Sequence, residues 1–439
     1  MSGAASRRFA CLGKGEQAEG TWESPDRYRF FDDPQRIVSI PQGSGLSLAG
    51  ASFGKGVRSV SLRRFNRILA FDEQAGRVVV EAGITLRQLF SFLAPRGWQV
   101  AVQPGFPDIT VGGCIAGNVH GKNPLAHSCF GRWVEEATLV HPSHGRLTLS
   151  AASHPDLLEL TIGGFGLTGY IVAATLRLTR LKSSRFILEP TPVASPEEAL
   201  TVLSNASETM DQCYSWHDMA TPRRKGSGIV FRGRHADEAA IDSAPVVPRY
   251  RSLDPDAAGL PVGALNRWGV PLVNAVYRSR WARPKELDLF SATFPFSANP
   301  EFFALYGPHG FLEHQSLVPW DVVPAYLKEI RRLLARHRVT PALFVLKPFG
   351  GTPGLLRFEG PGLSVALEAT NGPETLALFA DLDCLDGEMN ARANILKDAR
   401  LPKSAVEQQY PELDAFRRRL NIFDPDRLMR SALSERIGL

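Results

Sequence analysis

The first part of the chain contains hydrophobic patterns of two kinds, one typical of strands and one typical of helices. Residues 77–80 (RVVV) predict a strand, and Thr85 then begins a helix, because Gln88 completes a capping box and the apolar residues that follow share one helical face. Those apolar residues are Leu86, Leu89, Phe90 and Leu93. Residues 176–179 alternate apolar and polar, which is typical of a strand with one polar face. Short strands and helices punctuated by glycine predict an α+β domain over residues 42–181.

The pattern changes beyond residue 181, where we predict a second domain. Residues 195–198 (SPEE) supply the N-cap serine, the first-turn proline and the glutamate of a helix start. Residues 321–336 predict an amphipathic helix, and residues 254–263 (DPDAAGLPVG) predict a long loop. The stretch from Lys397 to the end is charged and predicts further helices.

Composition places the chain among folded proteins. Its 439 residues predict two or three units of ordinary domain size, which excludes a small binding module. With 44% hydrophobic and 22% charged residues it can bury a core. The net charge of +5 suits an anionic small molecule or a membrane surface and is too weak to indicate a nucleic acid. The five cysteines lack CxxC spacing, so we expect neither a disulfide framework nor a metal site.

The sequence lacks the patterns of export and membrane insertion. The first twenty residues contain two arginines but no apolar signal-peptide stretch, and no run of about 18 apolar residues occurs. We therefore expect a cytoplasmic protein whose membrane contact is peripheral, at the inner face. The candidate surface is residues 268–285, where Trp268, Tyr277 and Trp281 alternate with arginines; an ordinary basic helix packed on the second domain is the alternative.

Three glycine motifs differ in what they predict. Residues 164–169 (GFGLTG) have GxGxxG spacing, but a strand pattern follows them where the dinucleotide fingerprint requires a helix, so we reject that fingerprint. Residues 41–47 (PQGSGLS) and 104–113 (PGFPDITVGG) can each expose consecutive backbone N–H groups that bind phosphate oxygens. Ordinary turns are the alternative for either motif alone. Residues 119–123 (VHGKN) add a titratable ring, a cation and an amide.

Together these motifs resemble the FAD-binding domain of the vanillyl-alcohol-oxidase superfamily. Residues 104–123 are similar to the segment that holds the pyrophosphate and the isoalloxazine ring there. From residue 42 to residue 439 the chain further resembles the flavoprotein family that oxidises the 2′-hydroxyl of polyprenylphosphoryl-β-D-ribose. This resemblance is carried by GSGLS at 43–47, TVGG at 110–113, HGKN at 120–123, FGR at 130–132, GGFGLTG at 163–169, GFLEHQSLVP at 310–319, LKPFGG at 346–351, LKDAR at 396–400 and DPDRLMRSALSERIGL at 424–439.

The resemblance implies the fold and the cofactor. It implies an α+β fold in which a two-part PCMH-type FAD-binding domain, residues 1–184 and 392–439, carries an inserted α+β cap or substrate domain, residues 185–391, over an antiparallel sheet. Leu46 is neither His nor Cys, so we expect FAD to be bound non-covalently. The positions that match the family's FAD contacts are Gln42, Gly43, Ser44, Gly45, Leu46, Ser47, Gly105, Thr110, Val111, Gly112, Gly113, His120, Gly121, Lys122 and Ile171.

The resemblance also implies the substrate-side residues, which are Lys122, Gln315, Lys347 and Lys397. Oxidation of a secondary alcohol requires a group within hydrogen-bond reach of the hydroxyl, and Lys397 is the candidate catalytic residue. A base, a charged stabiliser of the alkoxide and a solvated surface lysine all remain open for it. Lys347 and Lys122 suit a phosphate or a reduced flavin, and Gln315 suits sugar hydroxyls. The neighbouring His314 should point away from the site on a strand.

Five positions depart from that family's pattern. Leu48, Phe294 and Asn394 stand where tyrosines are expected, Ala366 where a cysteine is, and Glu313 where a glutamine is. We predict oxidation of the 2′-hydroxyl of a polyprenylphosphoryl ribose to a ketone, the first half of epimerisation to an arabinose donor for cell-wall arabinan. The expected partner is a separate NAD(P)H-dependent short-chain reductase. The alternatives are an aldonolactone or alditol oxidase that uses O₂ and a non-catalytic flavin-binding subunit.

Overall fold

The first β-sheet lies near the N-terminus. The structure is a computed structural model that describes residues 5–32, 34–206, 209–236, 252, 259–298 and 300–439. The strands of the first sheet are β1 (Ala5–Ala10), β2 (Gln17–Glu23), β3 (Ser39–Gln42) and β4 (Arg58–Ser61). They pair in the order β1-β2-β4-β3; β1 and β2 are antiparallel, and β4 is parallel to both of its neighbours. The glycine-rich residues 43–47 therefore begin where β3 ends.

The second sheet completes the predicted FAD-binding part of the chain. Its strands are β5 (Ile68–Asp72), β6 (Arg77–Glu81), β7 (Trp98–Val100), β8 (Val134–His141), β9 (Gly145–Ser150) and β10 (Tyr170–Arg180). All of its pairs are antiparallel, in the order β5-β6-β10-β8-β9, with β7 also paired to β10. Because β10 follows residues 164–169 directly, the rejection of a Rossmann fingerprint is confirmed.

The third sheet contains eight antiparallel strands and forms the framework of the cap. Its strands are β11 (Arg185–Val193), β12 (Gln212–His217), β13 (Gly228–His235), β14 (Lys285–Asp288), β15 (Phe311–Val318), β16 (Leu343–Phe349), β17 (Gly362–Thr370) and β18 (Arg392–Ala393). The order is β14-β11-β13-β12-β16-β17-β15-β18. The last strand, β18, lies beyond the predicted cap boundary at residue 391. The C-terminal segment therefore adds an edge strand to the cap sheet before it continues into the FAD-binding part of the chain. The domain boundaries themselves stay a prediction.

Twelve helices pack on these sheets within the described residues. They are α1 (Leu86–Leu93), α2 (Val111–Ala116), α3 (Pro124–His127), α4 (Pro155–Thr161), α5 (Pro196–Ala206), α6 (Gly269–Trp281), α7 (Leu289–Thr293), α8 (Val323–His337), α9 (Pro373–Glu388), α10 (Lys403–Gln409), α11 (Leu413–Phe423) and α12 (Ala432–Ile437). The capping box that the sequence predicts is present: Thr85 accepts from the Gln88 backbone, and the Gln88 side chain accepts from Thr85. The helices predicted at 196 and 321–336 are confirmed as α5 and α8.

Helices α5, α8 and α9 cover one face of the third sheet. Leu203, Leu327 and Leu378 from these helices join one buried cluster with Leu346 and Leu367 of the sheet. Burial of such side chains contributes roughly 1.5–3 kcal/mol each, so this face stabilises the cap by packing against the helices. These three helices do not cover the opposite face, where polar residues of the middle strands form the candidate site. Of the predicted loop 254–263, residues 254–258 lie outside the described residues, and residues 259–263 are neither helix nor strand.

Candidate active site

The loop after β3 presents a row of backbone donors. Within the described part of the chain, no hydrogen bond is donated by the backbone N–H groups of residues 43–47. Side-chain hydrogen bonds fix the loop, because Ser44 Oγ donates to the carbonyl of Asp108 and accepts from Arg63. A Cβ on Gly43 would lie 2.4 Å from Thr110 Oγ1, so only glycine allows this approach. Consecutive free N–H groups on a rigid loop fit a pyrophosphate.

The second glycine motif does not present such donors, and the prediction that it exposes consecutive N–H groups is wrong for residues 111–113. Val111 N–H donates to the Ile84 carbonyl at 2.9 Å, and Gly112 N–H donates to the Ala82 carbonyl at 2.7 Å. Gly113 N–H donates to Thr110 Oγ1, which caps α2. A Cβ on Gly112 would lie 3.2 Å from the Ala82 carbonyl, so these glycines allow α2 to pack closely on the chain that follows β6.

His120 joins the FAD-binding part of the chain to the cap. Its Nε2 lies 3.1 Å from Gln315 Nε2 and its Nδ1 lies 3.1 Å from the Gly121 carbonyl. Since the Gln315 amide donates, we assign the neutral tautomer with the proton on Nδ1. Burial, and then the charge of Lys347, lower the pKa of His120 to about 3. The ring packs edge-on against Phe349. His120 is therefore a neutral, fixed side chain at neutral pH.

Lys122 and Lys347 carry charge into the same partly buried space. Burial, and then the charge of Lys347, lower the pKa of Lys122 to about 7. Burial also lowers the pKa of Lys347 to about 8, together with the charge of Lys397, against the opposing effect of Glu313. Lys122 Nζ donates to the Thr293 carbonyl. Mutual repulsion of this kind is relieved when an anion binds among the cations.

Gln315 and Asn394 connect the cap to the returning C-terminal segment. Gln315 Nε2 also donates to Ser364 Oγ at 2.9 Å, and Gln315 Oε1 accepts from Asn394 Nδ2 at 2.9 Å. The side-chain amide of Gln315 thus makes three of the four hydrogen bonds available to it inside the protein, which leaves one lone pair for a sugar hydroxyl. The backbone N–H of Lys397 donates to the Asn394 carbonyl at 2.9 Å, so the same network fixes the start of the Lys397 segment.

Lys397 is a partly exposed group of the site. Its side chain is 34% exposed, and its Nζ lies 3.2 Å from Glu313 Oε2. The ion pair with the buried Glu313 aims Nζ along the site face of β15. The structure therefore brings Lys122, Gln315, Lys347 and Lys397 together, as the sequence predicts. Ile171 is different, because its side chain is buried in the core beside the second sheet.

The sequence interpretation missed Glu368 and Tyr306. Glu368 lies opposite Glu313 in the register of β15 and β17, and both side chains are buried. Tyr306 donates to Glu368 Oε2 at 2.9 Å. Burial and then the neighbouring Glu313 raise the pKa of Glu368 to about 8, so it is largely protonated at neutral pH. The available signal was a glutamate inside the apolar run GLSVALEAT, where an acid requires a partner.

The other face of β15 holds a separate charged network, and His314 points into it as predicted. His314 lies 3.1 Å from Asp386 and 3.2 Å from Asp398, while Arg400 contacts Asp398 at 2.8 Å and also pairs with Asp383. Burial alone would lower the pKa of His314, but its hydrogen bonds to Asp386 and Asp398 outweigh burial and raise it to about 10. His314, Asp383 and Asp398 have metal-like spacing, yet Arg400 already supplies the positive charge.

Three departures from the family pattern make the neighbourhood apolar. Leu48 packs with Tyr306 and Phe311, and Phe294 is fully buried beside Phe90. Ala366 lies opposite Gln315 in the sheet. Leucine, phenylalanine and alanine at these three positions supply no side-chain hydrogen bond where tyrosines and a cysteine could.

The residues present fit a flavin dinucleotide. The free N–H groups of 43–47 suit the pyrophosphate, and His120 together with the lysines suits the end that receives negative charge on reduction. A Cβ on Gly105 would lie 2.5 Å from Phe296, and one on Gly117 would lie 2.9 Å from Leu396, so the glycine segments touch both the cap and the returning chain. These contacts make the cleft a junction of all three parts of the chain.

Comparison with known proteins identifies the family. Residues 33–149 match the family model described as FAD binding domain. Over 414 residues the chain is 30% identical to the decaprenylphosphoryl-beta-D-ribose oxidase of Mycolicibacterium smegmatis, which covers 91% of this chain and 89% of that relative. It is 29% identical over 212 residues to the mitochondrial L-galactono-1,4-lactone dehydrogenase of Brassica oleracea, which covers 44% of this chain and 34% of that relative.

The solved structures show the same architecture. The xylooligosaccharide oxidase from Myceliophthora thermophila C1, solved in complex with xylobiose, superposes with a TM-score of 0.69 over 95% of this chain and 92% of that chain, at 14% identity. The predicted α+β PCMH-type fold, the FAD cofactor and the activity as a FAD-dependent oxidoreductase on CH–OH groups are thereby confirmed. The chain belongs to the decaprenylphosphoryl-β-D-ribose oxidase family of flavoproteins.

Proposed function

We propose that this FAD-dependent sugar oxidoreductase oxidises the 2′-hydroxyl of a polyprenylphosphoryl-β-D-ribose to the 2′-ketone. The ketone would then be reduced by a separate NAD(P)H-dependent short-chain reductase, which completes epimerisation to an arabinose donor. The observation that carries the proposal is the convergence of Lys122, Lys347 and Lys397 on one partly buried space, with the pKa of two of them lowered.

This charge excess favours a phosphate-linked sugar over a neutral one. Three lysine side chains face the site, and Glu313 supplies the nearby carboxylate, because Glu368 is largely protonated at neutral pH. A neutral aldonolactone or alditol would leave the repulsion between the lysines in place. A phosphate would relieve it and would raise the pKa of Lys122 and Lys347 towards their ordinary value. The charge excess thus supports the predicted substrate over that of the alternative sugar oxidase.

The residues of the site divide the chemistry between them. FAD, when bound, supplies the acceptor for the hydride that leaves the carbinol carbon. Lys397 offers an ammonium hydrogen bond to the substrate oxygen as its proton departs, since its side chain is 34% exposed and is aimed by Glu313. Lys122 and Lys347 hold the phosphate or the negative charge of the reduced cofactor. Gln315 holds His120 and Asn394 in place and keeps one acceptor for a sugar hydroxyl.

A lipid-linked substrate also requires access from a membrane surface. No helix in the described ranges has the length and apolar character that a membrane span requires. Tyr277 and Trp281 of α6 pack inward near Trp216 and Phe231, so they do not form the predicted surface. Trp268, Leu272 and Val276 instead lie four residues apart and are 75%, 69% and 61% exposed. We propose this stripe, with Arg267 and Arg280 beside it, as the inner-face membrane contact.

The decisive experiment measures flavin bleaching without oxygen. Purified FAD-loaded protein is mixed with a synthetic polyprenylphosphoryl ribose under anaerobic conditions, and absorbance near the flavin maximum is followed by stopped flow. We expect full bleaching, and a dephosphorylated ribosyl polyprenol should bleach at least about tenfold more slowly at low concentration. Bleaching by free aldonolactones or alditols, with O₂ uptake in an oxygen electrode, would support the sugar oxidase instead. Protein that no sugar bleaches would support a non-catalytic subunit.

The membrane proposal has its own test. Wild-type protein should sediment with vesicles that contain anionic lipid and remain in solution with zwitterionic vesicles. The combined variant Trp268→Ser, Leu272→Ser and Val276→Ser should lose sedimentation while it keeps its flavin spectrum. Equal sedimentation of the variant would contradict the proposed surface.

A further inference from the structure

Four polar side chains form a continuous row from the interior to Lys397. Tyr306 donates to Glu368 at 2.9 Å, Glu368 lies beside Glu313 in the β15–β17 register, and Glu313 accepts from Lys397 at 3.2 Å. Tyr306, Glu313 and Glu368 are 1%, 6% and 5% exposed. Lys397 is the point where the row meets solvent and the substrate space. A row of this kind has no evident use as a packing device, because an apolar pair would fill the same strand positions at lower cost.

Two carboxyl groups so close in a buried place hold one proton between them. A second negative charge beside the first is unfavourable at low dielectric, so one carboxyl stays neutral while the other is ionised. The ionised member is Glu313, since the Lys397 ammonium donates to it, and the neutral member is Glu368. Tyr306 keeps its proton, because burial raises its pKa well above the ordinary value. The other charged group that faces the pair is Lys347 of β16.

We propose that Glu313 and Glu368 form a proton-holding pair that takes up, through Lys397, the proton that leaves the substrate hydroxyl. The proposal rests on the alcohol oxidation described above. The O–H bond of the substrate breaks and an N–H bond forms at Lys397 Nζ, while another N–H bond of that ammonium breaks and an O–H bond forms at Glu313. Both electrons leave the carbinol carbon with the hydride for FAD, so the alcohol is oxidised by two electrons and no further reactant is needed.

The arrangement lets Lys397 stay charged throughout the step. It receives one proton as it passes on another, so the developing ketone oxygen always faces an ammonium group. Glu313 then keeps the new proton until it passes back to Lys397. Lys397 is 34% exposed and releases a proton to solvent in exchange. Lys397 is the catalytic residue in this scheme, whereas Glu313 and Glu368 act through it as positioning residues. This scheme also gives a role to Glu313 at a position where the family pattern has a glutamine.

The chain contains a matched control for a buried tyrosine–glutamate pair. Glu81 is buried and accepts from Tyr28, as Glu368 accepts from Tyr306, but its neighbour is Arg67 rather than a second carboxylate. Burial alone would raise the pKa of Glu81, yet the hydrogen bonds from Arg67 and Tyr28 outweigh burial and lower it. Glu81 is therefore ionised at neutral pH, where Glu368 is largely protonated, and Glu81→Gln tests for effects of the substitution itself.

The first test observes the shared proton directly. Infrared difference spectra of the FAD-loaded protein are recorded between about pH 6 and about pH 10, where ordinary carboxyl groups are already ionised. We expect wild type to lose one protonated-carboxyl C=O band with a midpoint near pH 8. Glu368→Gln should lack that band, Glu368→Asp should restore it, Glu313→Gln should shift it to lower pH, and Glu81→Gln should keep it. A band that persists in Glu368→Gln, or is absent from wild type, would overturn the proposal.

The second test asks whether the pair acts in the reaction. With saturating substrate, Glu313→Gln should reduce the rate of flavin bleaching by at least about tenfold, with KM within about twofold of wild type. Glu368→Gln should remove the inflection near pH 8 from the pH profile of that rate. Unchanged profiles in both variants would refute proton uptake by the pair. Wild-type protein that no ribosyl phosphate bleaches would refute the proposed function instead, and the infrared result would still decide whether the pair holds a proton.

Discussion

The two polar networks on opposite faces of β15 use similar residues with opposite charge balance. On one face, His314, Asp383, Asp386, Asp398 and Arg400 form what we call the ionic clamp, in which each charge meets an opposite charge at close range. On the other face, Lys122, Lys347 and Lys397 form what we call the lysine cluster, whose nearest carboxylate is Glu313.

The difference teaches how to separate structural from functional polar groups. The clamp joins the cap strand, α9 and the returning chain, and its charges raise the pKa of His314 because protonation completes the network. The lysine cluster does the reverse for two of its members, since burial and repulsion from neighbouring lysines lower the pKa of Lys122 and Lys347. Balanced charge stabilises the fold, whereas unmatched charge is retained for a ligand. Metal-like spacing occurs among His314, Asp383 and Asp398 of the ionic clamp, on the face of β15 opposite the candidate site.

The largest expected effect comes from the lysine cluster. Lys397→Met removes the ammonium group that faces the substrate oxygen but keeps most of the side-chain volume. We expect the rate of flavin bleaching by saturating substrate to fall about 10²–10⁴-fold, because proton transfer and charge stabilisation both depend on this group. FAD content and the denaturation midpoint should stay close to wild type. If the loss of activity were matched by an equal loss of FAD or of folded protein, Lys397 would instead have a structural role.

The clamp should give the opposite result. Asp386 accepts hydrogen bonds from Ser316 and Tyr326 and pairs with His314, so Asp386→Asn leaves buried donors unmatched. We expect the free energy of unfolding, measured by urea denaturation, to fall by about 3–5 kcal/mol. Turnover per FAD-containing molecule should remain near wild type. Asp381→Asn, in a partly exposed pair on the same helix, is the control and should cost about 0–1 kcal/mol. If folded Asp386→Asn protein lost turnover, the prediction that the ionic clamp serves only stability would be contradicted.

A smaller effect should separate function from stability within the lysine cluster. Lys122→Met removes a cation that the fold disfavours and that an anion requires. We expect the affinity for a phosphate-bearing substrate to fall about tenfold, equal to ~1.4 kcal/mol, while thermal stability below the Lys122 pKa of about 7 rises. Lys403→Met, an exposed residue that pairs with Glu407, should change neither quantity. Reduced stability of Lys122→Met would show that this lysine is held by balanced contacts.

Per pH unit, the two faces should also differ by a small amount in the pH dependence of stability. The pKa of His314 is raised from 6.5 to about 10, so its stabilisation is complete below pH 6.5 and is lost as pH rises towards 10. The pKa values of Lys122 and Lys347 are lowered from 10.5 to about 7 and about 8, so their destabilisation is present at low pH and disappears as pH rises to 10.5. The two faces therefore contribute slopes of opposite sign.

Urea denaturation at a series of pH values measures these slopes. Between pH 6.5 and 10, stability should rise more steeply with pH in His314→Gln than in wild type, and less steeply in Lys122→Met. Each difference is at most about 1.4 kcal/mol per pH unit. Parallel curves for all three proteins would contradict the opposed protonation states of the two networks.

Local patterns predicted the parts of the protein that depend on neighbours in the chain. The capping box at Thr85 and Gln88 joins residues three positions apart, and the alternation before residue 180 excluded a Rossmann motif without any structure. The glycine and HGKN motifs indicated the cofactor and the family through resemblance. The alternation of His314 and Gln315 also assigned these residues to opposite faces, because the side chains of a strand alternate.

Long-range geometry decided the rest. The donors of residues 43–47 are free and those of 111–113 are used, because the latter segment pairs with residues 82 and 84. Glu313 and Glu368 become a pair only through strand register, and Tyr277 turns inward only because aromatic residues of the sheet lie beneath it. The chain alone thus determined which elements form and which residue types carry chemistry, since caps and periods act over a few residues. Burial, charge coupling and shared protons depend on distances between segments far apart in sequence, and only the folded arrangement sets those distances.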